Sequence, residues 1–218
     1  MPRELRVRGD DIQYHIILRC NNREHLLQDP DDFIQALDLL RDCKKRFGFK
    51  LYNYDILHAH IHLMLSTHGD YFIDHIMHDF CFKYAQDFNR RHRRSGHLWA
   101  QRYRSRLILN DHHGIGCLRY QHRNALSVGL VTKPEDWPWS GYCHYAFGVA
   151  NDLLEMHPSY LALAEGDVLR KKIYRELVNT PIPSDKILNL LEKGDDKQTR
   201  RFNAMVKQVA RLKRKITI

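Results

Sequence analysis

Three histidines alternate within one apolar segment of this chain, at positions 58, 60 and 62. Successive side chains of a β-strand point to opposite faces of a sheet, so a strand here would stack His58, His60 and His62 on one face. Burying three imidazoles is costly unless their nitrogens are occupied, and neutral imidazole is the commonest protein ligand of divalent metals. The spacing therefore makes this strand the first candidate for a metal site.

A second pair of polar side chains, Tyr120 and Asn124, falls within a helix predicted over residues 111–126. Residues four apart lie on the same side of a helix, one turn from each other. If this helix crosses the histidine strand, the Asn124 oxygen joins His60 and His62 in a mixed nitrogen and oxygen site. A divalent ion there would polarise a phosphate, and Tyr120 could attack phosphorus to form a covalent intermediate. Taken alone, a tyrosine on an amphipathic helix more commonly packs in a core.

The composition indicates a globular protein outside the secretory pathway. No apolar run among the 218 residues approaches the roughly 20 residues of a membrane span, and the N-terminus lacks the apolar core of a signal peptide. The five cysteines are an odd number without close pairs, which argues against a disulfide framework and against a zinc ribbon. We therefore expect a cytoplasmic protein with no membrane partner.

The charge indicates a nucleic acid as the partner. The net charge is +9, with seven arginines and no acidic residue from Arg90 to Leu109, and a second basic run after Asp196. Aromatic side chains beside arginines suit stacked bases and phosphates, although such runs also form solvated faces. The predicted DNA contacts are Arg90, Arg91, Arg93, Arg94, Trp99, Arg102, Tyr103, Arg104, Arg106, Arg211, Lys213 and Arg214.

The hydrophobic pattern predicts four strands and three helices in the order β-α-β-β-α-β-α. The predicted strands cover residues 14–19, 49–57, 58–66 and 103–109, and the helices cover residues 30–47, 71–94 and 111–126. This order is typical of the ferredoxin-like α+β fold, with an antiparallel sheet and one added C-terminal helix for the catalytic residues. We predict a catalytic domain over residues 1–147 and a mostly helical, basic C-terminal extension over residues 148–218.

Several segments carry a family resemblance. His60-Ile61-His62 resembles the histidine–hydrophobic–histidine motif of the HUH single-strand DNA nucleases. Four further segments, at residues 14–22, 96–105, 118–124 and 137–142, occur in the order found in the REP-associated tyrosine transposases. These proteins are relatives of the small single-tyrosine insertion-sequence transposases. The resemblance runs from about residue 3 to residue 147 and continues more weakly through the tail.

The resemblance implies a set of roles. His60, His62 and Asn124 would bind Mg²⁺ or Mn²⁺, and Tyr120 would be the nucleophile. The implied reaction is cleavage of single-stranded DNA beside a hairpin, which gives a 5′-phosphotyrosine enzyme and a free 3′-hydroxyl, followed by strand transfer. The mobile relatives are usually dimers, whereas the REP-associated group acts as monomers, so the resemblance leaves monomer and homodimer open.

The chain departs from the family pattern after the tyrosine. The family commonly has Asn-Pro-Val-Arg-Ala-Gly where this chain has Asn124-Ala125-Leu126-Ser127-Val128-Gly129. Proline disfavours helical geometry in the preceding residue, so Ala125 removes a restraint on Asn124. This departure favours an alternative function, a catalytically inactive regulator that binds DNA or RNA hairpins, whereas the intact His60, His62, Tyr120 and Asn124 favour the enzyme. His58 is open as an extra ligand, a phosphate contact or a packed residue.

Overall fold

The computed structural model describes residues 7–180. The predicted DNA contacts Arg211, Lys213 and Arg214, and most of the basic run that holds them, lie outside the described residues. Among the described helices, none combines the length and the apolar content that a membrane crossing requires.

The elements follow the predicted order closely, with strand and helix ends shifted by one to three residues. They are β1 (Gln13–Arg19), α1 (Pro30–Phe47), β2 (Lys50–Ile56), β3 (His60–Ser66), α2 (Ile73–Arg91), β4 (Arg104–Leu107), α3 (Asp111–Ser127), α4 (Tyr142–Phe147), α5 (Pro158–Leu161) and α6 (Asp167–Asn179). The two ends of α1 follow from the local sequence. Asp29 caps α1 and Gly48 ends it with a φ of 66°, which glycine adopts without strain.

The sheet confirms the predicted α+β, ferredoxin-like class. Its four strands lie in the order β2-β3-β1-β4, and every neighbouring pair is antiparallel. The histidine strand β3 and the opening strand β1 are therefore the two central strands. Central strands are hydrogen-bonded on both sides, so the side chains they carry are held on a rigid frame.

The strand register gives the sheet one polar face. Ile17 and Arg19 of β1 lie opposite His62 and His60 of β3, and Asp55 of β2 also lies opposite His62. Directly opposed residues of antiparallel strands point to the same face. These side chains consequently share one face of the sheet. Helix α3 covers that face, because its polar side chains hydrogen-bond to residues of β2 and β3.

The other face of the sheet is apolar and fully covered. Ile16 and Leu18 of β1 and Ile61 and Leu63 of β3 are each at most 1% exposed. Helices α1 and α2 pack against one another, and the hydroxyl of Tyr84 on α2 donates to the Asp32 carbonyl on α1. This layer is the main hydrophobic core, and it leaves the opposite layer available for polar groups.

The segment after α3 protects the free edge of β2. Ile56 donates its backbone N–H to the Trp139 carbonyl, and Gly141 donates to the Tyr54 carbonyl. A side chain at position 141 would collide with the Asn53 amide, so only glycine fits this approach. The motif at residues 137–142 thus closes an exposed strand edge, which is otherwise a site of unwanted pairing.

The structure differs from the predicted domain division at residue 147. Residues 8–180 form one compact unit, because the segment after α4 supplies side chains to its core. Tyr160, Tyr174 and Val178 are fully buried, and Tyr160 donates its hydroxyl to the Tyr145 carbonyl. The buried aromatic residues after α4 therefore join the same domain.

A buried polar network ties α3 to the sheet and to α6. His122 Nε2 lies 2.9 Å from the Asn53 amide oxygen on β2, and its Nδ1 lies 2.6 Å from the Tyr174 hydroxyl on α6. The Asn53 amide nitrogen donates to the Gln121 side-chain oxygen at 2.6 Å. These hydrogen bonds hold α3 from both sides, and they fix the position of the helix that carries Tyr120.

We expect the His122 network to make stability depend on pH. Burial lowers the pKa of His122 to about 3, so the unfolded chain takes up a proton near pH 6.5 that the folded chain does not. The free energy of unfolding should therefore fall as pH decreases below 6.5. In urea denaturation with EDTA, His122→Gln should reduce this fall between pH 7.5 and 5.5 by about 1 kcal/mol.

The exposed His97 offers the matched control for that measurement. His97→Gln should keep the pH dependence of the wild type. Equal pH dependence in all three proteins would contradict a neutral, hydrogen-bonded His122.

Candidate active site

Two of the three alternating histidines lie on β3 and face α3. His60 opens the strand and His62 follows two residues later on the same face. Their rings contact each other edge to face, with centroids 4.9 Å apart. The structure therefore places His60 and His62 together, as their spacing predicts.

The third histidine does not join them, which corrects the expectation of three stacked imidazoles. His58 lies in the connection between β2 and β3, and its Nδ1 lies 2.5 Å from the Leu27 carbonyl. Its ring packs edge to face against Phe33 and Trp137. The strand begins only at residue 60, so alternation along the sequence does not extend to His58, which is a packed residue.

Tyr120 lies over the histidine pair. Its ring meets the His62 ring edge to face with centroids 5.6 Å apart, and the His15 ring lies 6.4 Å away. The side chain is half-buried, with one part open to solvent. Helix α3 thus brings the predicted nucleophile beside the predicted ligands within one chain.

Asn124 reaches the first histidine of the pair. Its Nδ2 lies 3.1 Å from His60 Nε2, so the amide donates to an unprotonated ring nitrogen. A turn about the Cβ–Cγ bond exchanges the amide nitrogen for its oxygen at nearly the same place. Helix α3 continues through Ser127 despite Ala125, and Asn124 is only 5% exposed. The missing proline therefore leaves Asn124 aimed at His60.

Burial keeps the imidazoles of this cluster neutral. Burial, together with the nearby positive charge of Arg19, lowers the pKa of His60 to about 4. It lowers the pKa of His62 well below the ordinary value, with further contributions from His60 and His15. Neutral imidazoles have a free lone pair, which is the form that binds metal ions.

The donor set fits a divalent cation. His62 Nε2 is buried and meets no hydrogen-bond partner among residues 7–180, while His60 Nε2 and the Asn124 amide face one another. Two imidazoles and one amide oxygen form a mixed site of the kind that accepts Mg²⁺ or Mn²⁺. In the described part of the chain, no three His, Cys, Asp or Glu side chains gather as metal ligands.

Sequence reasoning missed His15, a third histidine at this site. It lies on β1, is 1% exposed, and its Nε2 stands 2.9 Å from His62 Nδ1. Burial, with smaller contributions from His113 and Arg106, lowers its pKa to about 3. A single histidine in an apolar strand gives no spacing signal, so only the pairing of β1 with β3 reveals it.

Asp55 is the second residue that the sequence did not single out. It is 1% exposed and lies opposite His62 on β2, facing the same side of the sheet. Burial raises the pKa of Asp55 well above its ordinary value, and the Asn124 amide opposes that rise only in part. Neither carboxylate oxygen reaches a hydrogen-bond partner among residues 7–180. A buried acid is thus placed beside the amide of Asn124.

The arginines predicted to contact DNA do not form one surface. Arg91 pairs with the fully buried Asp32 of α1, and Arg90 pairs with Asp87 on its own helix. Arg94 lies over the ring of Phe88. Arg93, Arg102 and Arg104 are exposed. Asp32 also accepts from the backbone N–H groups before α1, so Arg91 completes a structural cluster.

The two aromatic residues of the arginine segment pack inward. Trp99 donates its indole N–H to the Cys81 carbonyl at 3.0 Å and stacks on Tyr84, with centroids 5.6 Å apart. Tyr103 is 8% exposed. These contacts anchor the segment between α2 and β4 and leave the rings little area for stacking on bases.

Arginines from two strands do lie beside the histidines. Arg104 and Arg106 of β4 stand opposite Ile17 and His15 of β1, on the polar face, and Arg19 is near enough to lower the pKa of His60. The sequence prediction included the first two and missed Arg19. The cluster is therefore flanked by positive charge on the side of β1 and β4.

The comparisons with known proteins agree with this geometry. The family model described as IS200-like transposase matches residues 9–115, which include His60 and His62. This part of the chain is therefore similar to the IS200-like transposases. The matched segment ends before Tyr120 and Asn124, so their place beside the family's histidines comes from the structure. None of the curated proteins matches the chain.

One solved structure shares the fold of this chain. The structure of a REP-associated tyrosine transposase bound to a REP hairpin aligns with 72% of this chain and 95% of that chain, with 19% identity and a TM-score of 0.58. A second structure, named as a transposase from Deinococcus radiodurans, covers 52% of this chain and 91% of that chain, with 18% identity and a TM-score of 0.40. The first likeness shows that this chain shares the fold of that protein over the aligned part.

We expect Arg91 and Arg93 to respond differently to the same substitution. Arg91→Met leaves the buried carboxylate of Asp32 without its guanidinium, so the free energy of unfolding should fall by about 2 kcal/mol. Arg93→Met removes an exposed charge and should change it by less than about 0.5 kcal/mol. Urea denaturation at pH 7 measures both, and similar losses in the two variants would contradict a structural role specific to Arg91.

Proposed function

We propose that the protein is a metal-dependent, single-stranded DNA endonuclease and strand transferase that acts next to DNA hairpins through Tyr120. His60, His62 and Asn124 bind Mg²⁺ or Mn²⁺ in this proposal. The observation that carries it is the position of the Tyr120 ring, whose centroid lies 5.6 Å from that of His62, while Asn124 contacts His60. A nucleophile and three metal ligands of one chain therefore meet on one face of the sheet.

The reaction follows from these groups. The Tyr120 oxygen attacks phosphorus and forms a new ester bond, while the bond between phosphorus and the 3′-oxygen breaks. The leaving oxygen takes up a proton and becomes a 3′-hydroxyl, and the 5′-phosphate stays on the tyrosine. A bound divalent cation supplies charge stabilisation at the phosphate. Because the phosphotyrosine keeps the ester bond, a 3′-hydroxyl of the same or another strand can reverse the step and join DNA.

Single-stranded or hairpin DNA is the proposed partner. Arg19, Arg104 and Arg106 flank the histidines and offer positive charge to the phosphates beside the scissile bond. The proposed metal ligands are nitrogen and oxygen atoms without sulfur, and one side of Tyr120 is open to solvent. Both features suit a phosphate that enters from solvent. The solved relative bound to a REP hairpin supports a hairpin as the substrate class.

Three further expectations extend this proposal. We expect the basic segment over residues 181–218 to add DNA affinity, the protein to act in the cytoplasm, and either a monomer or a homodimer to carry out the cleavage. The exposed Arg93 and Arg102 are the arginines of the α2–β4 segment that we expect to contact DNA.

The nuclease proposal predicts a covalent adduct. A single strand that carries the hairpin flanking this gene and is labelled at both ends should be cleaved in Mg²⁺ or Mn²⁺, with the 3′-side product linked to the protein. Tyr120→Phe should abolish both the cleavage and the adduct on a denaturing gel, because it removes the attacking oxygen. Tyr71→Phe is the matched control and should behave as the wild type, since Tyr71 packs against Phe47 instead. Tight hairpin binding without cleavage in either metal would favour the inactive hairpin regulator instead.

The metal site predicts a ligand-specific thermal shift. Excess Mn²⁺ should raise the melting temperature of the wild type, because the folded state binds the ion and the unfolded chain binds it weakly. His60→Ala and Asn124→Ala should each remove most of the shift. His78→Ala serves as control, because its ring stacks on the exposed Phe82 of α2. A shift that survives both ligand substitutions would place the cation elsewhere.

A further inference from the structure

The contact between His15 and His62 joins the two central strands on the polar face. His15 Nε2 and His62 Nδ1 lie 2.9 Å apart, and the two rings are nearly parallel, with centroids 5.1 Å apart and an interplanar angle of 23°. Both side chains are buried, at 1% and 2% exposure. The other nitrogen of each ring meets no hydrogen-bond partner among residues 7–180. The pair is thus sealed from water and linked through one hydrogen bond.

The position of one proton decides whether His62 Nε2 can bind a cation. If His62 Nδ1–H donates to His15, then His62 Nε2 has a free lone pair. If His15 Nε2–H donates instead, the proton of a neutral His62 sits on Nε2 and blocks that atom. Only the first arrangement leaves Nε2 as a ligand, and Nε2 is the nitrogen that has no partner in the described chain.

We propose that His15 is a positioning residue that accepts the Nδ1–H of His62 and so presents the Nε2 lone pair of His62 to the divalent cation. This role rests on the proposed metal site. Metal-binding histidines usually donate their second ring N–H to another group, which fixes the tautomer and the ring orientation. Here the acceptor is a second imidazole on the neighbouring strand, which the sheet holds rigidly in place.

The neighbouring rings add a second restraint. His62 is held between the His15 ring, which lies beside it in nearly the same plane, and the Tyr120 ring, which meets it edge to face at 5.6 Å. Rotation of His62 about χ2 would break the hydrogen bond to His15 and push its ring against α3. His15 therefore fixes both which nitrogen is available and where it points.

The test separates the acceptor from the ring. His15→Phe keeps an aromatic ring and removes the acceptor, whereas His15→Gln keeps an acceptor oxygen on a side chain of similar reach. Mn²⁺ affinity is measured without DNA, by electron paramagnetic resonance of the free ion and by calorimetry. We expect His15→Phe to weaken Mn²⁺ binding about 10- to 100-fold and His15→Gln to stay within about threefold of the wild type. Melting temperatures without metal show that each variant folds.

The outcomes separate this inference from the metal site itself. A wild type that binds no Mn²⁺ overturns the metal site. A wild type that binds while a folded His15→Phe binds equally well overturns only the role of His15. Equal weakening in the phenylalanine and glutamine variants also overturns it, because ring packing and not the acceptor would then matter.

A measurement on the unaltered protein avoids the risk that the variants fail to fold. Long-range ¹H–¹⁵N correlation of histidine-labelled protein reads the tautomer of each ring. We expect His62 to carry its proton on Nδ1 and its Nε2 signal to shift when Mg²⁺ is added. A His62 protonated on Nε2 would contradict the proposal.

Discussion

The structure depends on the burial of a polar sheet face under a polar helix. Strands β1, β2 and β3 direct histidine, asparagine and aspartate side chains toward α3, and water is excluded from most of this layer. A buried polar group without a partner is costly, so each one limits how α3 can lie. The hydrogen bonds of Asn53 with Gln121 and His122 set that position, and they bring Tyr120 and Asn124 over His60 and His62.

The same burial prepares the chemistry. Removing water keeps the imidazoles neutral, and it strengthens every charge interaction that a phosphate or a cation would make in the layer. Burial also separates from water two groups that have no hydrogen-bond partner within the described chain, His62 Nε2 and the Asp55 carboxylate. Buried groups without partners lower the stability of the polar layer, and such groups are common at functional sites.

The residues after α4 belong to this arrangement and are not an addition to it. Helix α6 places the Tyr174 hydroxyl on His122, and Arg123 of α3 donates to the Val178 carbonyl. Aromatic packing of Tyr145, Tyr160 and Tyr174 fills the space behind α3. A helix held on both sides keeps its nucleophile beside the histidines of its own chain, which suits cleavage by one protomer.

The sequence by itself determined what depends on local spacing. Alternation placed His60 and His62 on one face, a four-residue step placed Tyr120 and Asn124 on one side of a helix, and element order gave the ferredoxin-like sheet.

Only the tertiary structure decided what depends on strand register and helix docking. It removed His58 from the site, since the strand begins at residue 60, and added His15 and Asp55, which become neighbours of His62 across two strand pairs. It also paired Arg91 with Asp32. A run of charges along the sequence does not show which guanidinium meets a buried carboxylate on a distant helix. Contacts between elements far apart in the chain leave no periodic trace, and they are what complete the site.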